Sequence, residues 1–414
     1  MKPERNDARA TMKPSPFAAC LSALALLASC TFLPKGARDI RQAVWVTRYD
    51  YKTEDDVRAI IRNCARSGLD TVLFQVRGNG TVGYDSALEP WFEQFDFRSP
   101  GFDPLFVACD EARLQGVRLH AWINALPGWR GKAAPKSEWQ LYHTRPDWFV
   151  VDQYHDRQAL LLGDQPAYLW LNPCLPEVRE HVARICAEVT RKYPVDGVHL
   201  DYVRLPDRNE VASQPAGNAA RDFGYDNRTL ELFREASGKS PAEDRSAWDA
   251  WRADQVTALV REVKRAVDRV RRHAVVSAAV YATPARAREV AQDWPAWLAR
   301  GFVDAVFPMA YSDDDLRFGE MIAAQRAATD KPIIVGIGVY KHEDPQQTLR
   351  QIEAVRGLGF PGFALYSYAA LHGSEENSKA APVEASLRAR RREGLLPTLQ
   401  GVGLDRRQGR SAIR

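Results

Sequence analysis

Short apolar runs alternate with amphipathic helical patterns along most of the chain. The runs are rich in Val, Ile, Leu, Phe and Ala, which is typical of parallel strands that are buried on both faces. The sequence therefore predicts eight strands, over Ala43–Asp50, Thr71–Arg77, Val117–Asn124, Asp196–Pro206, Val275–Tyr281, Asp304–Tyr311, Pro332–Tyr340 and Gly362–Tyr368.

The segments between these runs carry apolar residues at helical spacing, with recognisable ends. Thr53 is placed to cap the first helix, and Gly68 and Gly116 follow the first two helices as stop signals. Eight strands that alternate with helices predict one α/β domain, a closed (β/α)8 TIM barrel over residues 41–387. Long loops are expected after strands two, three and four. A doubly wound sheet would need a glycine turn after strand one, and Asp50-Tyr51-Lys52 is not one.

The first thirty residues have the pattern of an export signal. Lys13 precedes an apolar run, residues 17–28, that is too short to span a membrane as a helix. Leu27-Ala28-Ser29-Cys30 then resembles a bacterial lipobox, so we expect a lipoprotein signal peptide over residues 1–30, a lipidated Cys30 and a tether over residues 31–40. Thr31 resembles the sorting pattern for the outer membrane, which predicts a lipoprotein facing the periplasm. The alternative is a plain signal peptide with a chance cysteine.

The charge of the chain is small and unevenly distributed. The formal net charge is +4, yet residues 388–414 hold eight arginines against two acidic residues, and residues 1–30 carry +2. Residues 31–387 therefore carry −4, which argues against a nucleic-acid partner. The basic segment 388–414 is expected to be a disordered tail. None of the six cysteines has zinc-site spacing, so we expect neither a metal nor a cofactor.

The fourth predicted strand carries the strongest candidate for chemistry. Val198 and Leu200 form its apolar face, whereas His199 and Asp201 lie on the other face. Side chains that point inward at the carboxyl end of a barrel strand lie where these enzymes react. An unpaired carboxylate is costly to bury, so Asp201 is predicted to be functional. The alternative is an ion pair with Arg204 or Arg77.

The other predicted strand ends and loops are rich in aromatic and hydrogen-bonding side chains. Aromatic faces stack on the C–H faces of sugars, while carboxylates and amides bind hydroxyl groups. Any single tyrosine could instead pack in the core, and His120 and His199 could be structural. The predicted substrate-binding set is Asp50, Arg77, Glu89, Trp91, His120, Trp122, Asn124, Trp129, His199, Tyr281, Tyr311, Tyr340 and Tyr368.

Hydrolysis of a glycosidic bond needs two groups. One protonates the leaving oxygen, and the other attacks the sugar or activates water. Asp201 is predicted to be the nucleophile or base. Asp313, directly after strand six, is the first candidate for the acid, and Asp50 and Glu89 are the alternatives, in that order.

Six segments in order resemble one known family. They are Val44–Thr47, Phe74–Gly80, Glu89–Trp91, Leu119–Asn124, Asp196–Pro206 and Pro308–Tyr311. On these segments the chain resembles the glycosyl-hydrolase-like 10 family of bacterial lipoproteins over about residues 40–370. The resemblance implies a TIM barrel that hydrolyses a glycan, with peptidoglycan glycan strands as the expected substrate in the cell envelope.

Two more distant resemblances bear on residue roles. The fourth strand is similar to the signature of family 18 chitinases, but Val203 stands where their acidic glutamate would be. It is also similar to the fourth strand of α-amylases, in which the position of Asp201 is the nucleophile.

Two functions of other classes remain open. One is a carbohydrate-binding lipoprotein without catalysis. The other is a metal-dependent barrel hydrolase that uses His199 and Asp201 as ligands, although Thr47-Arg48-Tyr49 lacks the His-x-His that such barrels carry on strand one.

Overall fold

Eight parallel strands form a closed barrel in the computed structural model of the protein. The structure describes residues 36–207, 221–373 and 382–409, with side chains except at 38, 382–384 and 402–409. The barrel strands are β1 (Gln42–Val46), β2 (Thr71–Arg77), β3 (Arg118–Asn124), β8 (Gly197–Asp201), β9 (Val275–Tyr281), β10 (Ala305–Met309), β11 (Ile334–Ile337) and β12 (Gly362–Leu365). Four short strands lie in the insertion after β3: β4 (Pro127–Arg130), β5 (Leu161–Leu162), β6 (Gln165–Pro166) and β7 (Tyr168–Trp170).

Helices follow the barrel strands and cover the outside of the barrel. They are α1 (Glu54–Arg66), α2 (Pro104–Gln115), α3 (Leu141–Thr144), α4 (Pro176–Lys192), α5 (Asn227–Ser237), α6 (Arg245–Val270), α7 (Pro284–Arg288), α8 (Trp294–Ala299), α9 (Asp315–Ala328), α10 (Pro345–Gly357), α11 (Ala369–His372) and α12 (Pro382–Gly409). Thr53 caps α1 and Gly116 ends α2 with a positive φ, as their positions in the sequence predict.

The barrel strands pair in the order β1-β12-β11-β10-β9-β8-β3-β2, and β2 closes on β1. All of these pairs are parallel, so the carboxyl ends of all eight strands lie at one end of the barrel. Asn124 of β3 lies opposite Asp201 of β8 in the register of that pair. The prediction of a TIM barrel is confirmed.

Two apolar layers explain why both faces of the strands are buried. Val44 and Val46 point outward and pack under the helices, whereas Ala43 and Trp45 point into the barrel. Phe307 and Ile334 share the interior cluster with Trp45. The alternation follows from the two-residue period of a strand, and it is why the sequence shows continuous apolar runs.

The insertion after β3 contains regular structure that the sequence did not indicate. The strands β4 and β7 pair in a two-stranded antiparallel sheet, and β5 pairs with β6. Their sequences are too short and too rich in Pro and Gly for the periodicity of a strand to be visible. The β4–β7 sheet lies beside the barrel mouth, where Leu171 donates its N–H to the carbonyl of Leu126.

Residues 36–40 are not a free tether. Ala37 and Ile40 are buried in the interior cluster, next to the start of β1. They cover the end of the barrel at which the strands begin. Contact with the apolar strand residues stabilises the two side chains there. The prediction of a tether is therefore wrong from residue 36 onward, and residues 31–35 lie outside the described residues.

The basic segment from residue 388 is helical rather than disordered as far as residue 409. It forms most of α12, in which Leu395 and Leu399 are buried. Arg391 is also buried and donates from Nε to the carbonyl of His342 at 2.9 Å, and Arg392 donates to the carbonyl of Leu371 at 2.7 Å. The prediction of a disordered tail is wrong here because two leucines one turn apart and the aliphatic stems of arginines provide a packing face.

Several expected features lie outside the described residues. They are the signal peptide, the lipobox with Cys30, and residues 410–414. Within the described residues, no helix combines the length and the apolar character that crossing a membrane would require.

Candidate active site

A cleft of about 520 Å³ opens at the carboxyl ends of the barrel strands. Every barrel strand or the loop that follows it contributes to the wall. The lining residues are Trp45, Thr47, Arg48, Tyr49, Gln75, Trp122, Asn124, Tyr168, Asp201, Tyr202, Arg204, Ala279, Tyr281, Met309, Tyr311, Tyr340 and Tyr366. Seven of them are tyrosines and two are tryptophans. Among the described residues, Asp201 is the single carboxylate in this wall.

Asp201 is the last residue of β8 and is 8% exposed. One carboxylate oxygen, Oδ1, accepts a hydrogen bond from the backbone N–H of Tyr202 at 2.7 Å. Tyr202 has a φ of 51°, in the left-handed region that only small or glycine residues usually adopt. Such backbone strain clusters at functional sites. The turn after β8 therefore holds the carboxylate of Asp201 in a fixed position at the cleft.

Beneath the cleft, an indole and an imidazole form a fixed floor. Trp45 donates from Nε1 to Nε2 of His199 at 3.1 Å, and Nδ1 of His199 lies 3.0 Å from Oγ of Ser277. An indole can only donate, so Nε2 of His199 accepts and Nδ1 carries the proton. Burial lowers the pKa of His199 well below its ordinary value. His199 is thus a neutral structural residue, and it supports Trp45 rather than reaching the cleft.

Tyrosines from three consecutive strands form one wall. Tyr311 and Tyr366 stack with ring centroids 5.2 Å apart, and Tyr340 meets both rings edge-on. Burial, followed by the neighbouring Tyr366 and Asp201, raises the pKa of Tyr311. The phenol of Tyr311 therefore stays protonated at neutral pH and remains a hydrogen-bond donor.

Arg204 lies opposite this wall within a set of aromatic rings. Its guanidinium carbon is 4.8 Å from the ring centroid of Trp170, 5.2 Å from that of Tyr202 and 5.1 Å from that of Tyr281. The side chain is buried. Because a cation is attracted to the faces of aromatic rings, Arg204 fixes the three rings around the carboxyl end of β8.

Three buried polar atoms of the cleft wall have no hydrogen-bond partner among the described residues. They are Nε1 of Trp122, Oδ1 of Asn124 and Nε of Arg48. Trp122 and Asn124 are two residues apart on β3, so both point into the barrel next to β8. An unsatisfied buried donor or acceptor costs about 1–3 kcal/mol. The cleft wall thus presents a donor and an acceptor that a ligand can satisfy.

Six of the predicted site residues lie where the sequence placed them. Asp201, Trp122, Asn124, Tyr281, Tyr311 and Tyr340 all line the cleft. Their roles stay predictions, but their position follows from the barrel. Once the inward face of a strand is known, the last side chain on that face is expected at the mouth of the barrel.

Arg77 and Glu89 form a sealed ion pair, which corrects their assignment to substrate binding. Nη2 of Arg77 lies 2.7 Å from Oε1 of Glu89, and His181 contacts the same oxygen at 2.9 Å. Both side chains of the Arg77–Glu89 pair have no exposed surface. Burial alone would raise the pKa of Glu89, but Arg77 and His181 outweigh it and lower the pKa to about 2. Glu89 is therefore a structural anion and not the catalytic acid.

Four further predicted residues do not line the cleft. Trp129 stacks on Phe97 and donates to the carbonyl of Ala133, and half-buried Trp91 bridges to Val82 within the loop after β2. The hydroxyl of Tyr368 accepts from Asn63 of α1. His120 is sealed inside the barrel, where burial lowers its pKa to about 3. The structure thus corrects the assignment of these four to the cleft wall.

Asp50 and Asp313 lie at the margins of the site. Asp50 accepts hydrogen bonds from the backbone and the side chain of Thr47, and burial raises its pKa to about 6. It does not line the cleft. Asp313 is exposed, follows the cleft residue Tyr311 by two positions and does not line the cleft either, so it is a rim residue. After burial, its negative charge is the second cause that raises the pKa of Tyr340, whose ring lines the cleft.

Several cleft residues were not among the predicted ones. Tyr202 and Arg204 lie one and three residues after Asp201, and Arg48 lies two residues after the end of β1, so the strand ends were a usable signal for these three. Tyr168 lies in β7, which pairs with β4 beside the barrel, and no sequence pattern indicates that this residue returns to the barrel mouth. Among the described residues, no group of three or more His, Cys, Asp or Glu side chains is arranged to hold a metal ion.

Comparisons with known proteins agree with this architecture. The sequence profile of the glycosyl hydrolase-like 10 family matches residues 39–348. Glycosyl hydrolase DigH of Escherichia coli (strain K12) is 27% identical over 322 residues, which cover 68% of this chain and 65% of that protein. The chain thus matches slightly less than two thirds of the length of this relative.

Solved structures resemble the barrel at low sequence identity. The glycoside hydrolase domain of PgaB (BpsB) from Bordetella bronchiseptica has a TM-score of 0.55 and 16% identity, and the likeness covers 85% of this chain and 98% of that domain. The catalytic domain of β-amylase from Paenibacillus polymyxa has a TM-score of 0.58 and 10% identity, covering 87% and 100%. These likenesses support the fold.

Proposed function

The chain belongs to the glycosyl hydrolase-like 10 family, and from this premise we propose that it hydrolyses O-glycosidic bonds of a cell-envelope polysaccharide. One observation carries the proposal. The carboxylate of Asp201 is held at the carboxyl end of β8, within a cleft whose wall contains seven tyrosines and two tryptophans. Such a carboxylate is one of the two acidic groups that glycoside hydrolysis needs, and the aromatic rings beside it offer surfaces for sugars.

Asp201 is assigned as the carboxylate that attacks the anomeric carbon or activates water. The acid that protonates the leaving oxygen is assigned to Asp313, at the rim beside Tyr340. Its exposure keeps it open to a leaving group that projects from the cleft. Asp50 and Glu89, the other acids considered, are engaged by Thr47 and by Arg77.

The walls of the cleft suit a polysaccharide. Tyr311, Tyr340 and Tyr366 offer aromatic surface together with neutral hydroxyl donors, because burial holds their pKa values above the ordinary value. Arg48 lies after β1, the neighbour of β12, where Nη2 contacts the hydroxyl of Tyr49 at 2.6 Å and Oε1 of Glu93 at 2.7 Å. Such mixed surfaces bind both the C–H faces and the hydroxyl groups of sugars.

The unpartnered atoms on β3 support an N-acetylated sugar as the substrate. Trp122 presents an N–H donor and Asn124 presents an oxygen acceptor. An acetamido group offers the complement, a carbonyl oxygen that accepts and an N–H that donates. Both alternating sugars of peptidoglycan carry this group, so peptidoglycan glycan strands are the proposed substrate.

The proposed location follows from the lipobox. Cys30, after Leu27-Ala28-Ser29, is proposed to carry the lipid anchor, and Thr31 supports placement in the outer membrane facing the periplasm. Incorporation of labelled fatty acid into the full chain tests the anchor. We expect labelling of the wild type and none of Cys30→Ser. Equal labelling of both proteins would contradict the assignment.

The activity is tested on peptidoglycan glycan strands with and without stem peptides. Residues 31–414 contain the whole compact unit Gly36–Arg414 and can be assayed without the lipid. We expect new reducing ends from the wild type and a loss of about a hundredfold or more for Asp201→Asn. Asp164→Asn, an exposed aspartate away from the cleft, is the matched control and should retain activity. Undiminished activity of Asp201→Asn would remove Asp201 from the mechanism.

A second function of another class is favoured by one observation. Asp201 is alone as a carboxylate among the described residues of the cleft wall, whereas hydrolysis usually needs two. A lipoprotein that binds glycans without cleaving them would show equal binding by the wild type and Asp201→Asn, with no product from either. Product from the wild type excludes this alternative.

A further inference from the structure

A second feature of the surface lies on the outside of the barrel, away from the cleft. Helices α4 and α6 pack side by side, and a groove of about 410 Å³ runs along them. Its floor contains Ala183, Ala187 and Ala266. Four exposed arginines stand around it, and we call this set the arginine groove: Arg184, Arg191, Arg265 and Arg269.

The arginines of the groove lack acidic partners. Within the part of the chain that the structure describes, none of the four guanidinium groups makes an ion pair or a side-chain hydrogen bond. Two glutamates also line the groove, but Glu262 is engaged by Arg179 at 3.2 Å, which leaves Glu180. The groove therefore carries a surplus of positive charge that is available to an external anion.

The positions of its arginines show toward which end of the barrel the groove extends. Arg191 and Arg269 lie in the last turns of α4 and α6, shortly before β8 and β9 begin. The groove thus extends to the end of the barrel at which the strands start, opposite the cleft. Other exposed arginines end helices there as well: Arg66 of α1, Arg113 of α2, Arg300 after α8 and Arg356 of α10.

The barrel helices begin at the cleft end, and the first turns of three of them carry acidic residues there: Glu54 and Asp55 of α1, Glu177 of α4 and Asp315 of α9. The helix dipole favours an anion at the N-terminal end of a helix and a cation at its C-terminal end. It does not require four unpaired arginines in one groove. The cleft end carries arginines as well, since Arg391 of α12 donates to the carbonyl of Tyr340, so the feature that distinguishes the basic end is the arginine groove.

Few residues of the sequence separate the basic end from the proposed anchor. Ala37 and Ile40 are fixed at the end where the strands start. Cys30 precedes Gly36 by six residues, which span at most about 20 Å when fully extended. If Cys30 is lipidated, as the proposed function requires, this chain length holds the basic end next to the membrane surface.

We propose that the basic end of the barrel, centred on the arginine groove, docks on the anionic phospholipid head groups of the membrane that holds the Cys30 anchor. Arginine forks match phosphate oxygens, and basic residues near an anionic surface add to the hold of a lipid chain. The cleft lies at the other end of the barrel, so it is directed toward a polysaccharide at a distance from the membrane.

The test measures binding to vesicles without the anchor. Residues 31–414 are mixed with phosphatidylglycerol–phosphatidylcholine vesicles or with phosphatidylcholine alone, and the bound fraction is measured by sedimentation. The variant replaces Arg184, Arg191, Arg265 and Arg269 by Gln. The matched control replaces four exposed arginines that are not at the basic end, Arg98, Arg228, Arg234 and Arg317, so that the net charge changes equally.

We expect the wild type to bind the anionic vesicles and to lose binding as salt is raised. Each basic residue near such a surface contributes about a fivefold factor, so the groove variant should lose binding by more than about tenfold and the control by much less. Equal losses in both variants would mean that net charge alone acts and would overturn the proposal. Binding to phosphatidylcholine alone, or retained binding by the groove variant, would also overturn it.

This outcome is separate from the proposed function, because vesicle binding requires neither catalysis nor lipidation. Thermal unfolding of both variants checks that the fold is kept. Failure of glycan hydrolysis would leave the docking result intact. Absence of label on Cys30, by contrast, would remove the reason why this end meets the membrane.

Discussion

Asp201 and Glu89 are both buried carboxylates near the carboxyl end of a barrel strand, but their surroundings differ. Asp201 is the last residue of β8, and Glu89 lies in the loop after β2. Glu89 is enclosed by Arg77 and His181, and its side chain has no exposed surface. Asp201 is 8% exposed, lines the cleft and receives the backbone N–H of Tyr202. One carboxylate is held by a buried cation and closes a loop onto the barrel, while the other faces the cleft.

The difference shows that residue type and position near a strand end do not decide whether a buried carboxylate is enclosed by the protein or lines the cleft. The loop after β2 folds back and inserts Glu89 next to Arg77, which also donates to the carbonyls of Ala125 and Pro127. Arg77 and Glu89 thereby tie the loop after β2 to the loop after β3. A carboxylate with this role contributes to stability, and substitutions should separate stability from activity at the two sites.

The largest effect is expected from Glu89→Gln. It leaves Arg77 buried without an anionic partner, which should lower the free energy of unfolding by about 3–5 kcal/mol. Urea unfolding measures this loss. Glu54→Gln removes an exposed ion pair with Arg58 and should cost less than about 1 kcal/mol. If the Glu89→Gln protein were as stable as the Glu54→Gln control, Glu89 would not have the structural role that distinguishes it from Asp201.

Asp313→Asn tests the proposed acid, with the second largest effect. Loss of a general acid should lower activity on glycan strands by about a hundredfold. The defect should shrink on a substrate whose leaving group needs no protonation, such as a nitrophenyl glycoside. The exposed neighbour Asp314→Asn, which caps α9, is the control for a local change of charge. Full activity of Asp313→Asn on glycan strands would assign the acid to another residue.

Trp122→Phe should have a smaller effect that depends on the substrate. It removes the Nε1 donor and keeps an aromatic ring, so activity on acetylated strands should fall by about tenfold, the value of one hydrogen bond to a buried group. Chemically de-N-acetylated strands should react slowly with both proteins, and the ratio between the proteins should approach one. An equal loss on both substrates would show that the ring, and not the N–H, is what matters.

The smallest effect concerns Asp50, a half-buried carboxylate that neither lines the cleft nor pairs as Glu89 does. Burial raises its pKa to about 6, although hydrogen bonds from Thr47 oppose the change. Between about pH 4 and about pH 6 the folded protein binds this proton more tightly than the unfolded chain, so stability falls as pH rises through that window. Asp50→Asn should flatten this part of the profile of Tm against pH by a few degrees. A wild-type profile that rises across the window would contradict the assignment.

Periodicity alone determined the barrel and much of the cleft. Eight apolar runs separated by helical patterns specify parallel strands, and a parallel barrel places every strand end at one mouth. The positions of Asp201, Trp122, Asn124, Tyr281, Tyr311 and Tyr340 in the cleft wall followed from that rule. These are local properties, because a strand's inward face is fixed by its own alternation.

Only the tertiary structure decided which of the other polar groups are satisfied by the protein itself. Glu89 finds Arg77 twelve residues away through a loop whose path no periodicity encodes. Tyr168 reaches the cleft from the β4–β7 sheet in the insertion after β3. The arginines of α12 donate hydrogen bonds to carbonyls of the segments after β11 and β12. Whether a buried charge is structural or free to act depends on partners brought together by long-range folding, and this information is not present in any single stretch of sequence.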